Sequence, residues 1–264
     1  MRIARSILGG FRVIVGFCIG IFAILGCPVA GTVHAADAAA PLKVGVSPVF
    51  PPMVFKRGRD LVGVEIDLAR ALGAHLQRPI QIVEVPWKDQ IGALNEGRTD
   101  IIMSSMSVTP ARGFVVAFTQ PYLVVGQMAL VRRTDKALYA LGFPLPPPGK
   151  VGVLKATTGE FLVQRDFIGA SIQSFTESAS AAKALMRERI DLFVSDSTLV
   201  WHLAGVHSGD GLTVVPIALS EEQLAWAVRK EDETLRTAAN EYLDQSTKDG
   251  SLQKVLRRWM AVGP

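Results

Sequence analysis

One thirteen-residue pattern occurs twice in this chain, 91 residues apart, and it restricts the possible folds more than any other feature. The copies are Ala93-Leu94-Asn95-Glu96-Gly97-Arg98-Thr99-Asp100-Ile101-Ile102-Met103-Ser104-Ser105 and Ala184-Leu185-Met186-Arg187-Glu188-Arg189-Ile190-Asp191-Leu192-Phe193-Val194-Ser195-Asp196, with 5 identities in 13. In each, a helix end (Ala-Leu) passes through an Arg-x-Asp turn into three apolar residues, a strand of the kind buried in parallel sheets, and then into polar residues. Ligands of open α/β sheets collect at strand C-terminal ends. Two copies therefore predict two similar α/β lobes, each presenting a strand end to a mouth. Arg112 follows the first strand and Asp196 sits at the tip of the second. A cation and an anion facing one cleft suit a zwitterion such as a free α-amino acid.

The first 35 residues read as a targeting segment. Arg2, Arg5 and Arg12 form a basic lead, Val13 to Leu25 is an apolar run of 13 residues, and Val33-His34-Ala35 supplies small residues for cleavage before Ala36. The run is short of the roughly 20 apolar residues that span a bilayer, so export is expected. Ile24-Leu25-Gly26-Cys27 offers the alternative of a lipid anchor at Cys27, ranked second because Leu25 is bulky for its position. Cleavage after Ala35 removes both cysteines, Cys18 and Cys27, and with them any disulfide or thiolate metal site. It also removes three of the 28 basic residues and none of the 24 acidic ones, so a net charge of +4 falls to +1 and nucleic acid is not an expected partner. The remainder can form two modest cores without covalent staples.

Along that remainder the pattern alternates. Strands are predicted at Leu42–Val46, Ile80–Val85 and Ile101–Met103, with helices at Val62–Leu76 and Lys88–Asn95; Thr109-Pro110 reads as a helix start, the hydroxyl capping and proline in the first helical position. A strand at Gln127–Arg132 leads into a Pro-rich loop from Phe143 to Gly149. A second unit follows, with strands at Lys150–Leu154, Ser171–Phe175, Leu192–Val194 and Leu212–Ile217 between helices near Glu160–Phe167, at Ser178–Arg187 and after Asp196. Gln223–Val228 reads as one strand, and Glu231–Trp259 as two closing helices. If both chain ends belong to the first lobe, two crossings join the lobes and make a hinge.

From Leu42 to about Trp259 the chain resembles the extracytoplasmic solute-binding proteins of family 3, the amino-acid-binding components of ABC importers. The resemblance is carried by Leu61-Val62-Gly63-Val64-Glu65-Ile66-Asp67-Leu68-Ala69, by Gly97-Arg98-Thr99-Asp100 with Ser104-Ser105-Met106-Ser107-Val108-Thr109-Pro110-Ala111-Arg112, by Phe118-Thr119-Gln120-Pro121-Tyr122, by Val151-Gly152-Val153-Leu154 with Thr157-Thr158, and by Arg189-Ile190-Asp191 with Asp196. It implies an α/β, two-lobed, periplasmic-binding-protein-like fold of type II, with residues 36–124 and 225–264 in lobe 1, residues 125–224 in lobe 2, and a two-crossing hinge. It also implies a periplasmic monomer that binds an amino acid, uses no cofactor or metal, and serves an ABC transporter permease.

The same resemblance places the ligand contacts at Arg112, Asp196, Ser105, Ser107, Thr158, Phe50 and Trp87. Arg112 offers a rigid fork of donors to the ligand's α-carboxylate. Ser107 and Thr158 add donors to that carboxylate, although Thr158 also suits a helix cap. Asp196 accepts from the α-ammonium, or caps the helix that follows it, and Phe50 and Trp87 sandwich the ligand side chain or belong to the core. Asp100 and Asp191 match turn-stabilising positions outside the site. Two departures bear on ligand choice. Ser47-Pro48 stands where binders of cationic side chains carry an acid, which favours a neutral ligand, and Ala156 replaces a glycine, so that its methyl would crowd the ligand or shift the backbone and so weaken any contribution from Thr157. Cyclohexadienyl dehydratases resemble the same fold, so an enzyme using Glu160 or Glu177 as proton donor is the rival, with a ligand sensor serving a separate membrane receptor as a third reading. No Ser/His/Asp set, phosphate loop or metal cluster is legible, and His75, His202 and His207 are scattered.

Overall fold

A computed structural model describes residues 40–139, 142–143 and 149–260. The expected leader, its cleavage site and Cys27 lie outside the described residues, as do residues 144–148 of the Pro-rich loop. The apolar run Leu42–Val46 forms β1, followed by a small antiparallel sheet of β2 (Val49–Phe50), β3 (Val54–Arg57) and β4 (Asp60–Val62). Helix α1 (Val64–His75) buries Val64, Leu68 and Leu72 at the expected spacing and leads to β5 (Ile80–Glu84). Next come a 3-10 turn at Trp87–Asp89, α2 (Gln90–Asn95), β6 (Ile101–Ile102), the short α3 (Pro110–Gly113) and β7 (Ala117–Phe118).

Then β8 (Leu123–Val125) and β9 (Gln127–Arg132) lead toward the second unit. That unit contains β10 (Lys150–Leu154), α4 (Thr158–Asp166), β11 (Ser171–Phe175), α5 (Ser178–Met186), β12 (Leu192–Asp196), α6 (Ser197–Val206) and β13 (Leu212–Val215). The single strand predicted at Gln223–Val228 divides into β14 (Glu222–Leu224) and β15 (Ala227–Val228), after which α7 (Glu233–Lys248) and α8 (Ser251–Trp259) close the chain. Ala225 and Trp226, both buried, lie between the two short strands, where the backbone leaves one sheet for another.

The two five-stranded sheets share one topology. Their orders are β5-β1-β6-β15-β7 and β11-β10-β12-β9-β13, with the first three strands of each parallel and the fourth antiparallel to both of its neighbours. The repeated sequence pattern is repeated bonding. Asp100 Oδ2 accepts from Lys43 N at 2.9 Å, and Asp191 Oδ2 accepts from Lys150 N at 2.7 Å. In return Asp100 N donates to Lys43 O and Asp191 N to Lys150 O, both at 2.8 Å. An arginine backs each aspartate, Arg229 for Asp100 and Arg132 for Asp191. Each Arg-x-Asp turn thus fixes the start of its unit's first strand against the strand that ends at the cleft.

Both passages between the sheets run through a ladder of their own. β8 pairs antiparallel with β14, Val125 opposite Glu222 and Leu123 opposite Leu224. The fold is an α/β, two-lobed one, and no helix among the described residues is long and apolar enough to cross a membrane.

Candidate functional site

The loop after β6 is held from below by a buried carboxylate. Glu65 on α1 has no exposed surface, and it accepts from Ser105 N at 2.7 Å, Tyr122 Oη at 2.5 Å and Trp226 Nε1 at 3.0 Å. Burial pushes its carboxyl pKa up against the pull of those donors, and burial together with Glu65 pushes the Tyr122 phenol well up. Ser105 takes a left-handed φ of 57° there, and its hydroxyl has no partner among the described residues. Ser104 Oγ accepts from Ser47 N, and Ser107 forms an isolated bridge with Leu224 beside the interlobe ladder.

Thr109 caps α3 as the sequence predicts, its hydroxyl accepting from Arg112 N at 3.2 Å. The Arg112 side chain is half-buried. It donates through Nη1 to Ser107 O at 2.8 Å and lies 5.3 Å from the centroid of the Trp87 ring. Its remaining N–H groups have no acceptor among the described residues. Burial lowers the guanidinium pKa, opposed by the charges of Asp196 and Glu222. Arg112 nevertheless makes no ion pair with either.

Asp196 ends β12 directly opposite Gln127 on β9. It occupies the N-cap position of α6 without making a cap bond; its carboxylate accepts instead from Gln127 Nε2 at 2.6 Å. Burial drives the Asp196 carboxyl up to about 6, with the Glu222 charge adding to the rise while the Gln127 bond and Arg112 oppose it. Gln127 also donates through Nε2 to Thr158 Oγ1 at 3.2 Å, and Thr158 donates to Glu222 Oε2 at 2.7 Å. A second path joins the same ends, from Gln127 N to Ser220 Oγ and from Ser220 Oγ to Glu222 Oε1. Gln127 reaches these groups because Gly159 lies beneath it: a Cβ there would meet Gln127 Oε1 at 2.5 Å. The α4 cap is Thr157, which accepts from Glu160 N, so the Thr158 hydroxyl is free of that task.

Phe50 and Trp87 meet edge to face at 5.1 Å, and Trp87 Nε1 donates to Ala156 O at 2.9 Å. Phe50 is buried and Trp87 half-buried. The seven residues therefore gather as two adjoining groups. Arg112 and Thr158 line a 460 Å³ pocket with Glu222, and Phe50 and Trp87 line a 740 Å³ chamber. Asp196 stands behind Thr158, linked through Gln127, and Ser105 and Ser107 underlie Arg112. Gln127 and Glu222 were missed from sequence. Among the described residues no three His, Cys, Asp or Glu side chains gather as a metal ion would require.

Two sheets of equal topology, joined by a double crossing and facing each other across charged pockets, define a two-lobed solute-binding protein. The chain belongs to the bacterial extracellular solute-binding proteins, family 3, whose family model matches residues 42–262. Among curated relatives it is 26% identical over 223 residues to the L-cystine-binding protein TcyJ of Escherichia coli (strain K12), covering 84% of this chain and 83% of that one. Among solved structures it is similar to an ancestral arginine-binding protein bound to glutamine, with TM-score 0.78, 29% identity and coverage of 84% and 98%. An ancestral amino acid-binding protein described as a precursor of cyclohexadienyl dehydratase matches with TM-score 0.73, 32% identity and coverage of 83% and 95%.

Proposed function

We propose that the protein binds a net-neutral α-amino acid in the cleft between lobe 1 (residues 36–124 and 225–264) and lobe 2 (residues 125–224), and delivers it to an ABC-type permease from the periplasm as a monomer without catalysing a reaction. One observation carries this reading. Arg112, on α3 after β6 of one sheet, and Asp196, at the end of β12 of the other, form no ion pair; Arg112 spends one N–H on Ser107 O and Asp196 one oxygen on Gln127, so guanidinium N–H groups and a carboxylate oxygen remain for the two poles of a guest. The relatives named for cystine and for amino acids, and the one bound to glutamine, support the ligand class.

Each charge-assisted hydrogen bond contributes about 1.5–3 kcal/mol, against an association cost of roughly 4–15 kcal/mol. Micromolar binding, about −8 kcal/mol, therefore needs Arg112 and Ser107 from one side together with Thr158 and Asp196 from the other. Lobe closure is then part of binding.

A thermal-shift screen of the twenty amino acids, followed by calorimetry on the hits, tests the reading. Arg112→Ala is expected to abolish measurable binding; unchanged affinity would rule the site out. Of the two acids on which the dehydratase reading rests, Glu160 is spent on its own loop, its carboxylate accepting from Ala156 N and from the Ser174 hydroxyl, which leaves Glu177 as the proton donor that reading requires. Aromatic product from prephenate or arogenate would exclude a pure binder.

A further inference from the structure

The larger cavity of the cleft is not the one that Arg112 lines. It is the 740 Å³ chamber on the other side of Trp87, and the loops that follow β1, β5, β10 and β11 all end at it. That volume falls within the roughly 300–1,000 Å³ of pockets that enclose drug-sized ligands. A single amino acid held at Arg112 would leave most of it to water.

Its charges are arranged in two signs. Lys56 is tied to Glu84 at 2.8 Å, but Lys88 from one lobe and Lys155 from the other have no carboxylate partner among the described residues. Glu177 likewise has no cation. It occupies the N-cap position of α5 without a side-chain cap bond, which leaves its carboxylate to the chamber. The first N–H groups of α5, at Ser178 and Ala179, form the positive end of that nine-residue helix. Ser178, only 6% exposed, lines the chamber with a hydroxyl that has no partner among the described residues. Between this region and Arg112 lie the rings of Phe50 and Trp87, an apolar path well suited to methylene or sulfur, which packs favourably on aromatic edges.

We infer that the cleft accepts a two-headed ligand, a bis-amino acid with one head at Arg112 and Asp196, its linker along Phe50 and Trp87, and its second head between Lys155, Lys88 and the α5 N-terminus for the carboxylate and Glu177 for the ammonium. Such a ligand is still net-neutral, and the inference rests on the amino-acid reading of the Arg112 site. Calorimetry with L-cystathionine and with S-ethyl-L-cysteine, which keeps one head and the thioether and lacks the second head, separates the two claims. The protein is expected to bind L-cystathionine at least about tenfold more tightly, since exposed or half-exposed ion pairs add modestly but here act at both poles. Lys155→Ala combined with Glu177→Gln is expected to bring the two affinities together while leaving S-ethyl-L-cysteine unchanged. Equal affinities in the unmodified protein would overturn the two-headed inference and leave the amino-acid reading standing. So would failure of both thioethers when one of the twenty standard amino acids binds. Failure of every amino acid would overturn both.

Discussion

Trp87 Nε1 donates to the Ala156 carbonyl at 2.9 Å, joining the loop after β5 to the loop after β10 across the cleft. Ala156 is held at a φ of 61°, a left-handed conformation that costs a residue with a Cβ roughly 1–2 kcal/mol. The bond from Ala156 N to Glu160 Oε2 at 2.7 Å helps keep it there. The sequence flagged Ala156 as a residue that would shift the backbone; it keeps the glycine-like conformation under strain and turns its carbonyl to the opposite lobe.

Trp87→Phe keeps a ring against Phe50 and Arg112 and removes only the donor. A net hydrogen bond contributes about 0.5–1.5 kcal/mol, so ligand affinity is expected to fall roughly three- to tenfold. Small-angle scattering of the ligand-free variant should show a larger radius of gyration. Superimposable curves would mean that this bond does not hold the cleft.

Asp196 gives binding and stability opposite responses to acid. Its carboxyl is raised to about 6 in the fold, so its contribution to the stability of the free protein is greatest below the ordinary carboxylate range and is lost as pH rises through about 6. An ammonium guest needs the ionised form, so affinity should fall as pH drops through the same value. Titration calorimetry from pH 5 to 8 is expected to show that acid limb, and Asp196→Asn should bind weakly with no limb. A limb of the same midpoint in Asp196→Asn would assign the proton elsewhere.

The sequence was most legible where apolar runs were long and self-contained. Leu42–Val46, Gln127–Arg132 and Lys150–Leu154 are strands with the predicted bounds, and Arg-x-Asp marked both turns because each aspartate bonds a backbone N–H of its own unit's first strand. Strands of two or three residues, such as β2 and β7, are too short to show a period, and β14 and β15 merged because nothing local to Ala225-Trp226 signals a change of sheet. Of the site residues defined by motif, Arg112 and Thr158 line one pocket and Phe50 and Trp87 another, while Asp196 stands behind Thr158 through Gln127. Gln127 and Glu222 did not show, since their meaning depends on partners 69 and 64 residues away. Glu65 left a trace: it shares a face of α1 with Ala69 and Leu72, where an acid must be buried.

Glu65→Gln tests that buried acid. Three donors converge on its carboxylate, and an amide would turn a donor of its own toward one of them. A loss of about 2–4 kcal/mol of stability in urea unfolding is expected, as for a broken buried charge network. Ligand affinity should fall as well, because Ser105 N loses its anchor directly beneath the Arg112 loop. A variant as stable as the parent would show that the carboxyl is protonated and already shares its donors.

Glu222 lies on the interlobe ladder and holds Thr158 in the second lobe, so its charge acts on both poles of the site. It raises the Asp196 carboxyl and opposes the lowering of Arg112. Glu222→Gln removes that charge and keeps an oxygen for Thr158 to bond. Asp196 should then ionise more readily, and the acid limb of ligand binding should move to lower pH. Two effects compete at neutral pH: an ammonium loses one of two carboxylates near it, while the carboxylate of the guest loses a repulsive neighbour beside Arg112 and Thr158. The second is the closer contact, since Glu222 lines the Arg112 pocket and Asp196 stands behind it. Affinity at neutral pH is therefore expected to hold or rise while the limb shifts. A limb that stays in place, measured by calorimetry across pH 5 to 8, would show that the charge of Glu222 is screened from Asp196.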